Sequence, residues 1–125
     1  MKRQLDLINL YVQGYNSFNM KKMLLPLHSK VVFENYVKNE LTMKLEGLKA
    51  FKKQAQRGTE MFSKRKKEIL SVEHKDDHCI ALVSYRATLK VDVGDKMKKG
   101  QEMNINGKSI FFFKDDRISK IEDYS

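Results

Sequence analysis

With 125 residues, the chain has room for one domain that buries most of the surface its unfolded form would expose. A composition that is 41% hydrophobic and 33% charged fits a globular protein and excludes a low-complexity chain; no apolar run approaches the ~20 residues needed to cross a bilayer. The net charge of +9 raises nucleic-acid binding, but the lysines are spread along the chain and the densest cluster, Lys64-Arg65-Lys66-Lys67, has no aromatic motif, zinc spacing or helix-turn-helix pattern beside it. The cluster and its smaller counterpart at Lys96, Lys98 and Lys99 therefore read as solvated surface, and nucleic acid is not the expected partner.

The first element is an amphipathic helix. At 100° per residue, Leu5, Leu7, Ile8, Tyr11, Val12, Tyr15 and Phe18 share one arc, with Arg3, Asp6, Asn9, Gln13, Asn16 and Ser17 opposite. A short second helix is expected from Met20 to Leu25, capped by Asn19 and stopped by Pro26. Val31 to Val37 alternates as a strand, and Glu40 to Glu46 is its short partner. Gly47 opens a third helix, with Leu48, Phe51, Ala55 and Phe62 on a narrow stripe, ending near Phe62. From there the chain is strand-like: Lys67 to His74, Cys79 to Val91, Met103 to Phe113 and Arg117 to Tyr124, separated by polar turns. Cys79, Ala81, Val83, Tyr85, Ala87, Leu89 and Val91 form one apolar face. The last two strands make a hairpin about Asp115-Asp116, apolar enough to require a place inside a sheet.

Helices early and long antiparallel strands late predict an α+β fold, one domain over residues 1–125, with helices on one face of a bent sheet. The N-terminus lacks a continuous apolar stretch, so no leader is expected. The single Cys79 cannot form an internal disulfide, which suits a reducing cytoplasm, and its apolar neighbours read as a buried structural site.

Four segments, in order and at the right spacing, resemble the nuclear transport factor 2-like superfamily and its SnoaL-like branch. They are Tyr11-Val-Gln-Gly-Tyr-Asn-Ser-Phe-Asn19, Leu27-His-Ser-Lys-Val-Val-Phe-Glu-Asn35, Gly47-Leu-Lys-Ala-Phe51 and the closing hairpin from Gly107 to Tyr124. The resemblance implies a cone: a curved antiparallel sheet wrapped around about three helices, with a pocket between them and pairing into homodimers through the sheet.

Read from the strands themselves, the inward positions Phe33, Asn35, Tyr85, Met103, Ser109, Phe111 and Asp123 mix large aromatics with small and polar groups. Such a lining makes a small-molecule pocket, unless the aromatics meet and fill the cone as core. An apolar or aromatic ligand would touch Tyr11, Tyr15, Phe33, Phe51, Phe62, Tyr85 and Phe111. No cofactor or metal is expected, since His74 and His78 flank an exposed turn at Asp76-Asp77.

Ketosteroid isomerases and SnoaL-like cyclases abstract a proton beside a carbonyl and stabilise the enolate. The resemblance implies Tyr11 as an oxyanion donor. It departs at Asn35, which stands where the isomerase keeps its aspartate base, and at Ser109, where a protonated aspartate would be. The cyclase pattern places an acid on the last strand, which implies Asp123, two residues from Ile121 on the same face. Set in a closed apolar cone, Asp123 would have a raised pKa; frayed at the chain end, it would be exposed. Arg86 is the one strand arginine considered for the interior, and its parity opposes entry. The competing reading is a non-catalytic interaction module, with Ile110 and Phe112 turned outward as a partner surface.

Overall fold

A computed structural model of the protein describes residues 2–125. Its elements are helix α1 (Lys2–Asn16), helix α2 (Met20–Leu24), strands β1 (Leu27–Val37) and β2 (Glu40–Glu46), helix α3 (Leu48–Met61), then β3 (Phe62–His74), β4 (His78–Leu89), β5 (Glu102–Lys114) and β6 (Arg117–Tyr124). The six strands form one sheet in the order β2-β1-β6-β5-β4-β3. All neighbours are antiparallel except β1 and β6, which run parallel. The expected all-antiparallel sheet is therefore mixed. The parallel pair arises because the closing hairpin docks on β1 after a long excursion through α3 and three strands, with no tight turn dictating direction.

The helices lie against the concave face of the sheet. Leu7, Ile8, Tyr11 and Val12 of α1 and Phe51 of α3 are buried there against Cys79, Ala81, Val83, Phe111 and Ile121 from three strands. Alternation does this work: in β4 every second residue from Cys79 to Leu89 faces the helices, while Leu82 is 50% exposed on the convex side. Val91 was expected to continue this face but lies beyond the end of β4 and is exposed.

Helix α1 stops at Asn16, short of Phe18, whose backbone takes a left-handed conformation (φ 55°). That turn lets α2 fold back onto α1. Asn19 caps α2, its side chain accepting from the Lys22 N–H at 3.1 Å. The two helices meet at Gly14, where a Cβ would collide with the Met23 backbone, so only glycine permits the approach.

Candidate functional site

Three strands place a row of polar side chains across the concave face. Asn35 of β1 and Ser109 of β5 are both in register with Asp123 of β6, one on each side. Ser109 is 1% exposed, and its hydroxyl donates to Asp123 Oδ1 at 2.6 Å. Asp123 is thus fixed by a short charge-assisted bond rather than frayed. Asn35 is turned partly aside, with its amide N–H donating to Thr42 Oγ1 at 2.9 Å.

Opposite this row stands a feature that the sequence reading missed. The cluster from Lys64 to Lys67 lies in β3, not between elements, and strand alternation splits it. Lys64 and Lys66 face solvent, while Arg65 and Lys67 enter the cone, each only 8% exposed. Lys67 Nζ lies 3.9 Å from Asp123 Oδ2, 4.7 Å from the Tyr15 ring centre and 5.7 Å from that of Tyr11. Its backbone is clamped by Asn16, which accepts from Lys67 N–H at 2.7 Å and donates to Lys67 C=O at 2.9 Å. The Arg65 guanidinium packs between Tyr15, 3.8 Å from its ring centre, and Phe18, 4.4 Å away. Its Nε donates to the Tyr15 carbonyl at 2.9 Å. Arg65, not Arg86, is the strand arginine that reaches the interior; Arg86 is exposed. The signal was the parity of β3: Lys67 is in register with the inward-facing Tyr85 and Arg65 with Ala87.

Two adjoining cavities meet at these side chains. One, of about 340 Å³, is bounded by Tyr85, Val83, Ile105, Gly107, Ser109 and Asn35 among others. The other, of about 180 Å³, lies under α3 between Tyr11, Phe33, Phe51, Phe62 and Arg65. Tyr15, Lys67 and Asp123 form the wall common to both. Gly107 matters to the larger cavity, since a Cβ there would strike the Tyr124 carbonyl.

The hydroxyls over the site stay protonated. Burial pushes Tyr11 far above the ordinary tyrosine range, and the negative charge of Asp123 adds to the effect. Burial does the same to Tyr15, reinforced by the adjacent Tyr85 phenol, and raises Tyr85 itself. Each phenol is therefore a neutral O–H at any ordinary pH, the form that can donate to a developing oxyanion.

Of the residues singled out in the sequence, Tyr11, Tyr15, Phe33, Asn35, Phe51, Phe62, Tyr85, Ser109 and Asp123 all line one cavity or the other. Two do not. Phe111 is fully buried and packs edge-on against Tyr11, with ring centres 6.0 Å apart, as core. Met103 faces inward but lies far along β5, paired with Ala87 and bordering a separate surface groove with Lys64 and Arg86. The histidines stand apart from this site. His78 pairs with Asp77 at 2.6 Å on the exposed turn, and His74 Nδ1 lies 3.2 Å from the buried Cys79 thiol.

A cone of this topology is the architecture of the nuclear transport factor 2-like proteins. The family model described as the SnoaL-like domain matches residues 8–121, and the chain belongs to that family. Its structure is similar to that of a candidate polyketide cyclase from Xanthomonas campestris pv. campestris, with 20% identity, a TM-score of 0.85, and 99% of this chain and 90% of that one covered. It is also similar to a protein with a ketosteroid isomerase-like fold from Catenulispora acidiphila, in complex with trimethylamine, with 11% identity, a TM-score of 0.77, and 95% and 84% covered. A nuclear transport factor 2-like protein of unknown function from Burkholderia pseudomallei matches with 11% identity, a TM-score of 0.80, and 98% and 90% covered. No curated protein matches the chain. No helix among the described residues is long and apolar enough to cross a membrane.

Proposed function

We propose that the protein binds a small, largely aromatic carbonyl compound in the cone and moves a proton on it, in an isomerase- or cyclase-type reaction. The observation that carries this reading is the position of Asp123: a carboxylate held by Ser109, on the wall common to both cavities, beneath neutral tyrosine hydroxyls. In this mechanism an Asp123 oxygen takes a proton from the carbon beside the carbonyl. The C–H electron pair becomes the C=C bond of an enolate, and the carbonyl π pair moves to oxygen, where the Tyr11 O–H donates to it. Protonated Asp123 then returns its proton to carbon, at the same or a conjugated position. Asn35 orients the substrate and takes no proton, because an amide is not a base. Tyr15, Phe33, Phe51, Phe62 and Tyr85 contact the aromatic body of the ligand.

The test is α-proton exchange on 2-tetralone in D2O, followed by NMR. The wild-type protein should accelerate deuterium incorporation, Asp123→Asn should abolish the acceleration, and Tyr11→Phe should reduce it by ~10²-fold or more. Acceleration unaffected by both changes would refute the assigned roles.

The convex face favours a second reading, in which the domain pairs with a copy of itself through the sheet, with or without chemistry. Ile80, Ile110 and Phe112 are only half-buried there beside the exposed Leu82. The neighbouring side chains Glu34, Lys44, Lys120 and Glu122 pair with one another within the chain, so this face presents no excess charge of one sign to a second copy. Sedimentation equilibrium should give twice the 14.7 kDa chain mass, and Leu82→Lys should yield the monomer. A wild-type monomer at high concentration would refute this pairing.

A further inference from the structure

The charge balance inside the cone is uneven. Two cations, Arg65 and Lys67, are buried on its wall, and among the described residues Asp123 is the one acidic side chain bordering either cavity. That carboxylate is already committed to Ser109, and at 3.9 Å it lies beyond hydrogen-bond reach of Lys67 Nζ. Arg65 has no carboxylate within 4.0 Å among the described residues; stacking on Tyr15 and Phe18 and the bond to the Tyr15 carbonyl stabilise its charge without neutralising it. Taking an ammonium or guanidinium out of water is costly, and stacking on aromatic faces offsets part of that cost rather than all of it. Both are nonetheless held on the inward face. Asn16 clamps the Lys67 backbone on both sides, which sets the face its side chain takes, and Arg65 Nε is tied to the Tyr15 carbonyl. Buried positive charge without a full counter-charge, on a wall bordering two cavities, is an anion site.

We propose that the molecule held beside Asp123 is an organic anion, an aromatic carboxylate whose oxygens take hydrogen bonds from Lys67 Nζ while Arg65 adds to the local positive field. This inference rests on the reading of the cone as a small-molecule site and narrows the ligand class. It also assigns Lys67 a binding role. The carboxylate anchors at Lys67, and the aromatic rings lie against the surface formed by Tyr15, Tyr85 and Phe62, which pack on one another with ring centres 6.0 and 6.4 Å apart in successive pairs.

The probes are 2-naphthoate and its uncharged isostere 2-naphthamide, titrated by calorimetry and by protein NMR. The naphthoate should bind at least about tenfold more tightly than the amide, as a charge-assisted bond in a sheltered site provides. Lys67→Met should erase that preference. Lys66→Met, altering the exposed neighbour, should leave it unchanged. Equal affinity for both probes in the wild-type protein would overturn the anion assignment while leaving the small-molecule reading intact, and this comparison needs no variant to fold. A preference that survives in both Lys67→Met and Lys67→Gln would likewise overturn it. Failure of both probes to bind at millimolar concentration would overturn the pocket reading and the anion assignment together.

Discussion

The coupling between Lys67 and Asp123 gives the sharpest stability test. At 3.9 Å, two unit charges in a medium of effective dielectric ~20 attract by about 4 kcal/mol. The Asp123 side chain is 22% exposed, and solvent screening reduces that attraction to roughly 1–2 kcal/mol. The two single substitutions should differ in kind. Asp123→Asn removes the counter-charge from a buried ammonium and weakens the Ser109 bond to a neutral one, so it should destabilise the fold by about 2 kcal/mol. Lys67→Met removes the buried cation and fills its volume with an apolar chain among Tyr11 and Tyr15, so it should cost less than ~1 kcal/mol or stabilise. In the Lys67→Met background, Asp123→Asn should then cost under ~1 kcal/mol. Urea unfolding followed by far-UV circular dichroism measures all four proteins, and an unchanged m-value confirms that only stability has moved. An Asp123→Asn cost that is the same with and without Lys67 would refute the claim that the two charges face each other inside the cone.

Gly14→Ala forces a Cβ into the Met23 backbone and should destabilise by ~1–3 kcal/mol, read as a lower thermal midpoint. The carboxyl of Glu34 is held below its ordinary range, first by the Tyr36 hydroxyl and then by Lys120 and Lys44. A lowered folded-state value means that Glu34 contributes stability in full above its unfolded value of 4.5 and loses it as pH falls through the folded value. Between pH 6 and 3, Glu34→Gln should therefore show a shallower fall in thermal midpoint than wild type. All five tyrosines sit above the usual phenol range; Tyr124 is pushed up to about 12 by burial and then by its hydrogen bond to Glu122. Absorbance at 295 nm should show less phenolate at pH 10 in the folded protein than in urea. The stabilisation held by these neutral phenols is lost as pH rises beyond 10.

Much of the fold was legible because its signals are periodic. The face from Cys79 to Leu89, the apolar arc of α1 and the closing hairpin are patterns of two or 3.6 residues, and they survive any tertiary arrangement. The parallel pairing of β1 with β6 left no such trace, because register between distant strands is written in no local spacing. In the site, Asp123 and Ser109 were readable from the alternation of β5 and β6. Arg65 and Lys67 were not. Their strand starts directly after α3 with no turn residue to mark the boundary, and the register slips between Phe62 and Lys64. Four consecutive basic residues look alike until the strand's start and phase are known. Met103 erred in the opposite way: its parity was right, but position along the strand, not face alone, decides which side chains reach the cavity.

Chemical-shift mapping with 2-tetralone on the uniformly 15N-labelled protein bears most directly on the cone as the working site. Saturable shifts should centre on the amides of Tyr15, Lys67, Tyr85, Ser109 and Asp123, and weaken in Asp123→Asn. Shifts centred instead on Leu70, His78 and Leu82, or no shift at millimolar ligand, would contradict it.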